Sequence, residues 1–516
     1  MKAMIGNPKS EIRNPKSQSG RVRVTTWLVV SAAIVVIAGC SVGPNYRRPQ
    51  ALKSEPVPEA FTVPGTNNNT ADWKIAEPRA QLPRGAWWEV FNEPELNHLE
   101  AMAGTENQSL AAAVARLEQS RAELGIAKAD FFPQFSVDPS VTRNRTSAHA
   151  PLLSKNGTAH TYTAFNIPAN LSWEVDLFGR VRREVESAKA GFVASADDLE
   201  SARLSLQAEV ASDYFNLREL DEERRVVADT IETFQRSLEL TQNRRKGGIV
   251  SDLDVSQAET QLRSTEAELP ALDLQRAQVL HALATSCGQS AIRFQLDVGP
   301  LTNGIPAVPA SLPSELLERR PDIASAERRM AAANAQVGVA VSAFYPRVFI
   351  GGLAGFQSVG ANTVFDWPSR VWSIGPTVTL PIFTGGRNRA QLAQAKAVYN
   401  ETIANYRETV LNAFQEVEDQ LAAQNLLATQ LDAQKAALDA SKHTLDIANN
   451  RYKAGVVTYL EVATAQSSEL QNERSFVQLE GQRLNAQIGL IKAVGGGWEG
   501  NGKGDNGRMA QVSDKN

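Results

Sequence analysis

Cys40 is the first residue of this sequence whose type and surroundings could do chemistry. It follows Ile37-Ala38-Gly39, behind an apolar run over residues 27–38 and the basic pair Arg21 and Arg23. A hydrophobic residue and two small ones before a cysteine mark the point where a leader is cut and the new N-terminal thiol carries lipid. A run of this length is too short to span a bilayer comfortably. The second cysteine, Cys287, follows a helical pattern alone and reads as a small, half-buried filler. Two Cys and five His give no disulfide or metal spacing, and His281 and His443 are lone helix residues. No GxSxG, P-loop or HExxH pattern is present, so no enzyme activity, cofactor or metal site is expected.

The chain has 516 residues, a net charge of −4 and 42% hydrophobic residues, which fits a folded protein without a nucleic-acid footprint. After Ala38 no apolar run reaches 18 residues, so no transmembrane helix is expected.

Two long rods must position whatever the chain does. From Arg180 to the Gly247-Gly248 pair the helical pattern is broken by no Pro and by Gly191 alone. Roughly 65 residues at about 1.5 Å each make a rod on the order of 100 Å long. The pattern recurs from Asn388 to Tyr452, behind the joint Thr384–Arg387, and turns at Gly455. Arg244, Gly248, Ser251, Leu253, Val255 and Ala258 align with Arg451, Gly455, Thr458, Leu460, Val462 and Ala465. Arg116, Gly125, Ala127, Phe131 and Pro133 align with Arg329, Gly338, Ala340, Phe344 and Pro346. The architecture is therefore an internal duplication of about 200 residues, which favours one elongated body over separate domains. Small and medium apolar residues at helical spacing, Val185, Ala188, Phe192, Ala196, Leu199 and Leu238, predict coiled-coil-like packing.

Before each rod lie strands. Phe135, Val137, Pro139 and Val141 alternate with polar residues, as do Phe165, Ile167, Ala169, Leu171, Trp173, Val175 and Leu177. Residues 347–357 form a third strand blurred by Gly351, Gly352 and Gly355, and residues 372–382 a fourth. Strands of about 9–11 residues suit a tilted membrane barrel. About four strands cannot close alone, and an open edge in lipid leaves backbone groups unpaired. The barrel must be shared between copies: two would give a narrow one, three a wider one.

The expected segments are a lipoprotein signal peptide over 1–39 and an extended lipidated tether over 40–85. The first structural repeat follows over 86–300, the second over 301–494, and a disordered tail over 495–516. Glu93-Pro94-Glu95 fits a helix start, Pro270 a kink, and Arg320-Pro321-Asp322 a break or restart.

Several motifs agree with one family. Cys40-Ser-Val-Gly-Pro-Asn-Tyr46, Trp87-Trp88, Trp173-Glu-Val-Asp-Leu-Phe-Gly-Arg180, Arg319-Arg-Pro-Asp-Ile323 and the repeated glycine turn resemble the TolC-like outer membrane efflux channels. The likeness is to their NodT-type lipoprotein branch and covers about residues 40–495. The resemblance implies a mainly α fold with a membrane β-barrel. That barrel is trimeric and shared, and a long helical coiled-coil barrel continues it across the periplasm. Ser41 after the cysteine, rather than Asp, favours outer-membrane sorting in such lipoproteins.

The implied function is a passive exit duct for small molecules, fed by an inner-membrane efflux pump through a periplasmic adaptor protein. The alternative is the outer membrane channel of a type I protein secretion system. The implied partners are two further copies of the chain, the adaptor, the pump and outer membrane lipid. Aligned on Gly455, the family's acidic aperture ring falls on Glu461 and its second position on Thr464. The tying tyrosine falls on Tyr452, the tying aspartate on Asp254, and the tying arginine on Val457. The aperture is expected to rest on Tyr452–Asp254 hydrogen bonding and on packing around Leu253 and Leu460. Gly248, Ser251, Leu253, Gly455, Thr458 and Leu460 are the expected adaptor-contacting tips.

Overall fold

The computed structural model describes residues 41–52, 85–149, 159–301 and 319–496. The expected signal peptide, Cys40 itself and the tail beyond residue 496 lie outside the described residues. Among the described residues, no helix is long and apolar enough to cross a membrane.

The elements follow the duplicated pattern. A 3-10 turn, Trp87–Phe91, leads into α1 (Pro94–Glu106) and α2 (Gln108–Ala129). Strands β1 (Gln134–Val137), β2 (Ser140–Arg145) and β3 (Thr161–Val175) follow, then α3 (Arg180–Lys246), α4 (Asp252–Glu266) and α5 (Glu268–Ser286). The second repeat holds α6 (Pro321–Ser342), β4 (Arg347–Ser358), β5 (Arg370–Thr379), α7 (Arg387–Lys453) and α8 (Tyr459–Ala493). The two rods, α3 and α7, are each 67 residues long.

The described residues fall into two compact units. The first comprises residues up to 47 with 123–189 and 331–399, and holds the sheet. Its strands run antiparallel in the order β1-β3-β4-β5, with β2 also paired to β3. The alternation read as one strand from Phe135 to Val141 is thus two: β1 meets Ala169–Ser172, and β2 meets Thr161–Asn166. Pro139 has no N–H for the ladder, so the lane breaks there, and the Asp138 amide bonds Pro168 O instead (3.1 Å). Counted as lanes, the sheet still has four. β3 pairs with β4 from Phe165↔Ser358 to Val175↔Val348, so the central ladder joins the two repeats. Phe135, Val141, Trp372, Ile374 and Val378 stand exposed on the outer lanes.

The signature around Trp173 explains itself residue by residue. Trp173 Nε1 donates to Phe131 O (2.9 Å), and Glu174 accepts from Arg180 Nε (2.8 Å). Asp176 accepts from the amides of Val181 (3.2 Å) and Arg182 (3.0 Å), capping α3. Phe178 stacks on Tyr345 at 5.0 Å, and Gly179 makes the turn at φ 82°. The first residues of the expected tether are docked, not free. Val42 N–H donates to Phe178 O (3.1 Å), and buried Arg183 holds Val42 O and Asn45 Oδ1.

The second unit comprises residues 48–122, 190–330 and 400 onward. Its core packs Trp87, Phe91, Leu96 and Leu99 against Tyr214, Phe215, Leu283 and Ile488, with Phe91 and Phe215 5.0 Å apart. Each such fully buried side chain stabilises by about 1.5–3 kcal/mol. Asn107 links three segments: its Oδ1 accepts from the Leu110 amide, capping α2, and its Nδ2 donates to Ser286 O (each 2.8 Å). Pro270 cannot donate to residue 266, and the return helix parts at Ala267, between α4 and α5. Among the described residues, the second repeat's first helix, α6, begins at Pro321, inside the Arg320-Pro321-Asp322 motif. Arg320 there is buried and reaches Asp322, Glu416 and Ala493 O. Cys287 is fully buried rather than half-buried, and burial pushes its thiol up to about 12.

Candidate functional site

The two rods end in the same way. At the first, Gly248 N–H bonds Arg245 O (3.0 Å) and Ile249 N–H bonds Arg244 O (2.9 Å). At the second, Gly455 N–H bonds Tyr452 O (2.9 Å) and Val456 N–H bonds Arg451 O (3.0 Å). Both glycines sit at φ 74°, the left-handed geometry this closure demands and a Cβ disfavours.

The helices that leave these turns start differently. Ser251 caps α4 through a reciprocal box. Its hydroxyl accepts from the Asp254 amide (3.3 Å), and Asp254 Oδ2 accepts from Ser251 N (2.9 Å) and Ser251 Oγ (2.6 Å). Thr458 makes no side-chain cap on α8. Asp254 Oδ1 instead accepts from the Tyr459 amide at 3.3 Å. One carboxylate thereby serves the first turns of two hairpins. Burial opposes its ionisation, but the bonds from Ser251 and Tyr459 outweigh burial and hold Asp254 below the ordinary aspartate range.

Tyr452 is buried at the centre of the tip. Its hydroxyl pairs with Thr241 Oγ1 (3.1 Å) and its ring meets Tyr459 edge-on at 5.7 Å. Tyr459 donates to Gln466 Oε1 (3.3 Å), and Gln466 Nε2 donates to Ser237 Oγ (3.2 Å). Burial, with Tyr452 beside it, pushes the Tyr459 phenol up to about 12. The expected Tyr452–Asp254 hydrogen bond is not made. Ser251, three residues before Asp254, presents its amide and hydroxyl first, and Thr241 on the neighbouring rod takes the phenol.

The packing also differs from expectation. Leu253 and Leu460 are 65% and 55% exposed. The small core of the tip is Ala258, Ala448, Tyr452, Tyr459, Val462 and Ala465, with Val457 packed against it. Thr464 donates to Leu460 O (2.8 Å) inside its own helix.

Two arginines carry roles that the sequence reading did not assign, although the repeat alignment had paired them. Arg244 crosses to the other hairpin and donates to Tyr452 O and Lys453 O, each at 2.6 Å. Arg451 stays on its own hairpin, 3.8 Å from Glu461. Arg451, Glu461, Thr444, Ile447, Leu460 and Thr464 line a cleft of about 540 Å³ between α7 and α8. The arrangement brings Asp254, Tyr452 and Tyr459 together across the two hairpins, leaves Leu253 and Leu460 exposed, and offers hydrogen-bonding and charge.

Over residues 101–289 and 312–496 the chain matches the family described as outer membrane efflux protein. It is 33% identical over 480 residues to the outer membrane protein OprJ of Pseudomonas aeruginosa, covering 91% of this chain and 96% of that protein. It is 31% identical over 477 residues to the toluene efflux pump outer membrane protein TtgC of Pseudomonas putida, covering 91% and 95%. In three dimensions it is similar to the outer-membrane channel OprN, with TM-score 0.80 and 30% identity over 89% of this chain and 100% of that one. The CmeC outer membrane channel of Campylobacter jejuni gives TM-score 0.77 and 28% identity over 90% and 96%.

Proposed function

This chain belongs to the outer membrane efflux protein family, and from that premise we propose that it is the outer membrane channel of a tripartite efflux system. It is a passive exit duct, and we assign no catalytic step to it. The observation that carries the reading is a sheet of paired antiparallel strands in the same duplicated chain as two 67-residue helices. Among the described residues, both outer lanes of the sheet carry exposed apolar residues and an unpaired edge. Lipid tolerates neither edge unless other copies close the sheet. Three copies would supply about twelve lanes, within the range of membrane barrels.

The finer assignments follow from this. Cys40 carries lipid that anchors the chain to the outer membrane. The paired turns are the periplasmic end, where exposed Ile249, Leu253, Val456 and Leu460 supply an apolar docking face for a periplasmic adaptor. The adaptor in turn couples the duct to an inner-membrane pump. Glu461 with Thr464 lines the aperture, and Tyr452 and Asp254 hold the hairpins that shape it. Small toxic compounds and drugs are the transported class, as the names of the relatives include a toluene efflux pump.

Deleting the gene in its host should raise intracellular accumulation of a fluorescent efflux dye, and the wild-type chain should restore the lower level. Unchanged accumulation in the deletion strain would count against the assignment.

A further inference from the structure

We propose that Ser41–Asn45 is a strap held in a built seat at the foot of the sheet, with walls from both repeats. The strap keeps the lipid-bearing Cys40 without slack beside the joint between β3 and α3. The placement of the lipid rests on the lipidation reading above; the seat does not.

The first repeat supplies one wall. Val42 N–H donates to Phe178 O at 3.1 Å. A Cβ on Gly179 would fall 2.6 Å from Ser41 Oγ, so only glycine lets Ser41 lie across the joint. Buried Arg183 spreads over the strap: Nε donates to Val42 O (3.2 Å), and Nη2 to Asn45 Oδ1 (2.8 Å) and Gly43 O (3.4 Å). Its Nη1 is neutralised by Glu186 at 2.7 Å.

The second repeat supplies the other wall through α6. Asn334 Nδ2 donates to Pro44 O at 3.1 Å. Gly43 sits at φ 94°, and a Cβ there would come within 2.5 Å of Gly338 Cα. A Cβ on Gly338 would come within 2.9 Å of the Arg183 side chain. Glycine faces glycine, and a buried guanidinium closes the gap. The seat grips mainly the backbone of the strap, and Pro44 restricts the chain that enters it.

A lipid on a free tether of tens of residues would wander over tens of ångströms. Here a single peptide unit, about 3.8 Å between Cα atoms, separates Cys40 from docked Ser41. The acyl chains must therefore leave the protein within reach of Phe178 and Gly179. That joint lies just beyond Val175, where β3 pairs with Val348 of β4. The lipid fixes which level of the sheet meets the leaflet it occupies, and any pull on it acts on both repeats.

Hydrogen–deuterium exchange on the full-length, detergent-extracted protein tests the seat. The Val42 amide should exchange at least about tenfold more slowly than in a free peptide of the same sequence. Arg183→Ala and Gly43→Ala should each remove that protection. Exchange at the free-peptide rate in the unaltered protein overturns the proposal whatever the variants do, and so does protection that survives both substitutions. Intact mass of the same sample reads the lipid separately. A protected strap on a chain without lipid at Cys40 upholds the seat and overturns the lipid placement.

Discussion

Arg244 and Tyr452 stand on different rods, 208 residues apart in sequence, and the Arg244 Nη1 donates to Tyr452 O at 2.6 Å while the guanidinium lies 4.7 Å from the Tyr452 ring. A planar fork can bridge two carbonyls and cover an aromatic face at once, which a lysine cannot do. We predict that Arg244→Ala loosens the hairpin pair by about 1–2 kcal/mol per protomer, the range of a half-exposed charge-assisted bond. The conductance of the isolated channel in planar bilayers should rise, and Arg244→Lys should fall between the two. Unchanged conductance would mean that the pair does not hold the tip shut.

Asp254 gives the tip a pH dependence of definite sign. Its carboxyl titrates below the ordinary aspartate value in the folded chain. The stability it contributes is full above the unfolded aspartate pKa of about 3.9 and is lost as pH falls through the lower folded value. Channel conductance should therefore rise as the bath is acidified through that window. Asp254→Asn should remove this component while raising conductance at neutral pH. An acid response equal in the variant and the parent would assign it to other groups.

Glu461 does not face the cleft as a bare carboxylate, because Arg451 lies 3.8 Å away. Both side chains are 53% exposed, so the pair is weak and solvent-screened. On the aperture reading, Glu461→Gln lowers cation selectivity and block by divalent ions. Arg451→Gln, which removes the counter-charge, raises both. Reversal potentials in a salt gradient measure the first effect and added divalent cation the second. Neither variant changing either quantity would move the ring elsewhere on α8.

Glu100 is 3% exposed, and neither of its carboxylate oxygens has a hydrogen-bond partner. It lies on the buried stripe of α1 with Leu96, Leu99 and Ala103, and burial pushes its pKa up to about 9. A raised carboxyl favours the folded state fully below its unfolded value, near 4.5. That contribution is lost as pH rises toward the folded value. Thermal stability should therefore fall between pH 5 and pH 9 on the order of the window these values span. Glu100→Met should flatten that slope and stabilise the chain at pH 8 by about 1–3 kcal/mol, the cost of a buried unsatisfied polar group. A melting profile with the same slope in both proteins would refute this.

What the sequence made legible is what local chemistry fixes. Gly248 and Gly455 end the rods because the closing turn needs a left-handed residue, and that demand is visible in the letters. The alternation around Trp173 foretold β3, although the ladder begins at Thr161 and stops at Val175 rather than Leu177. Pro139 was visible too, and only the pairing partner showed that it divides a lane. The rest depends on contacts between distant residues. Nothing near Gly43 announces Arg183, Asn334 or Gly338. The contest between Ser251 and Tyr452 for Asp254 is settled by distances that no spacing rule contains. Glu100 sits on an apolar stripe whose period gave no warning that an acid would be enclosed there.

The central claim is that copies of this chain close one membrane barrel together, and native mass spectrometry of the detergent-extracted protein tests it most directly. The account predicts a complex of three chains that resists dissociation, each chain beginning at a lipid-bearing Cys40. A stable single chain that conducts ions in a planar bilayer would contradict it.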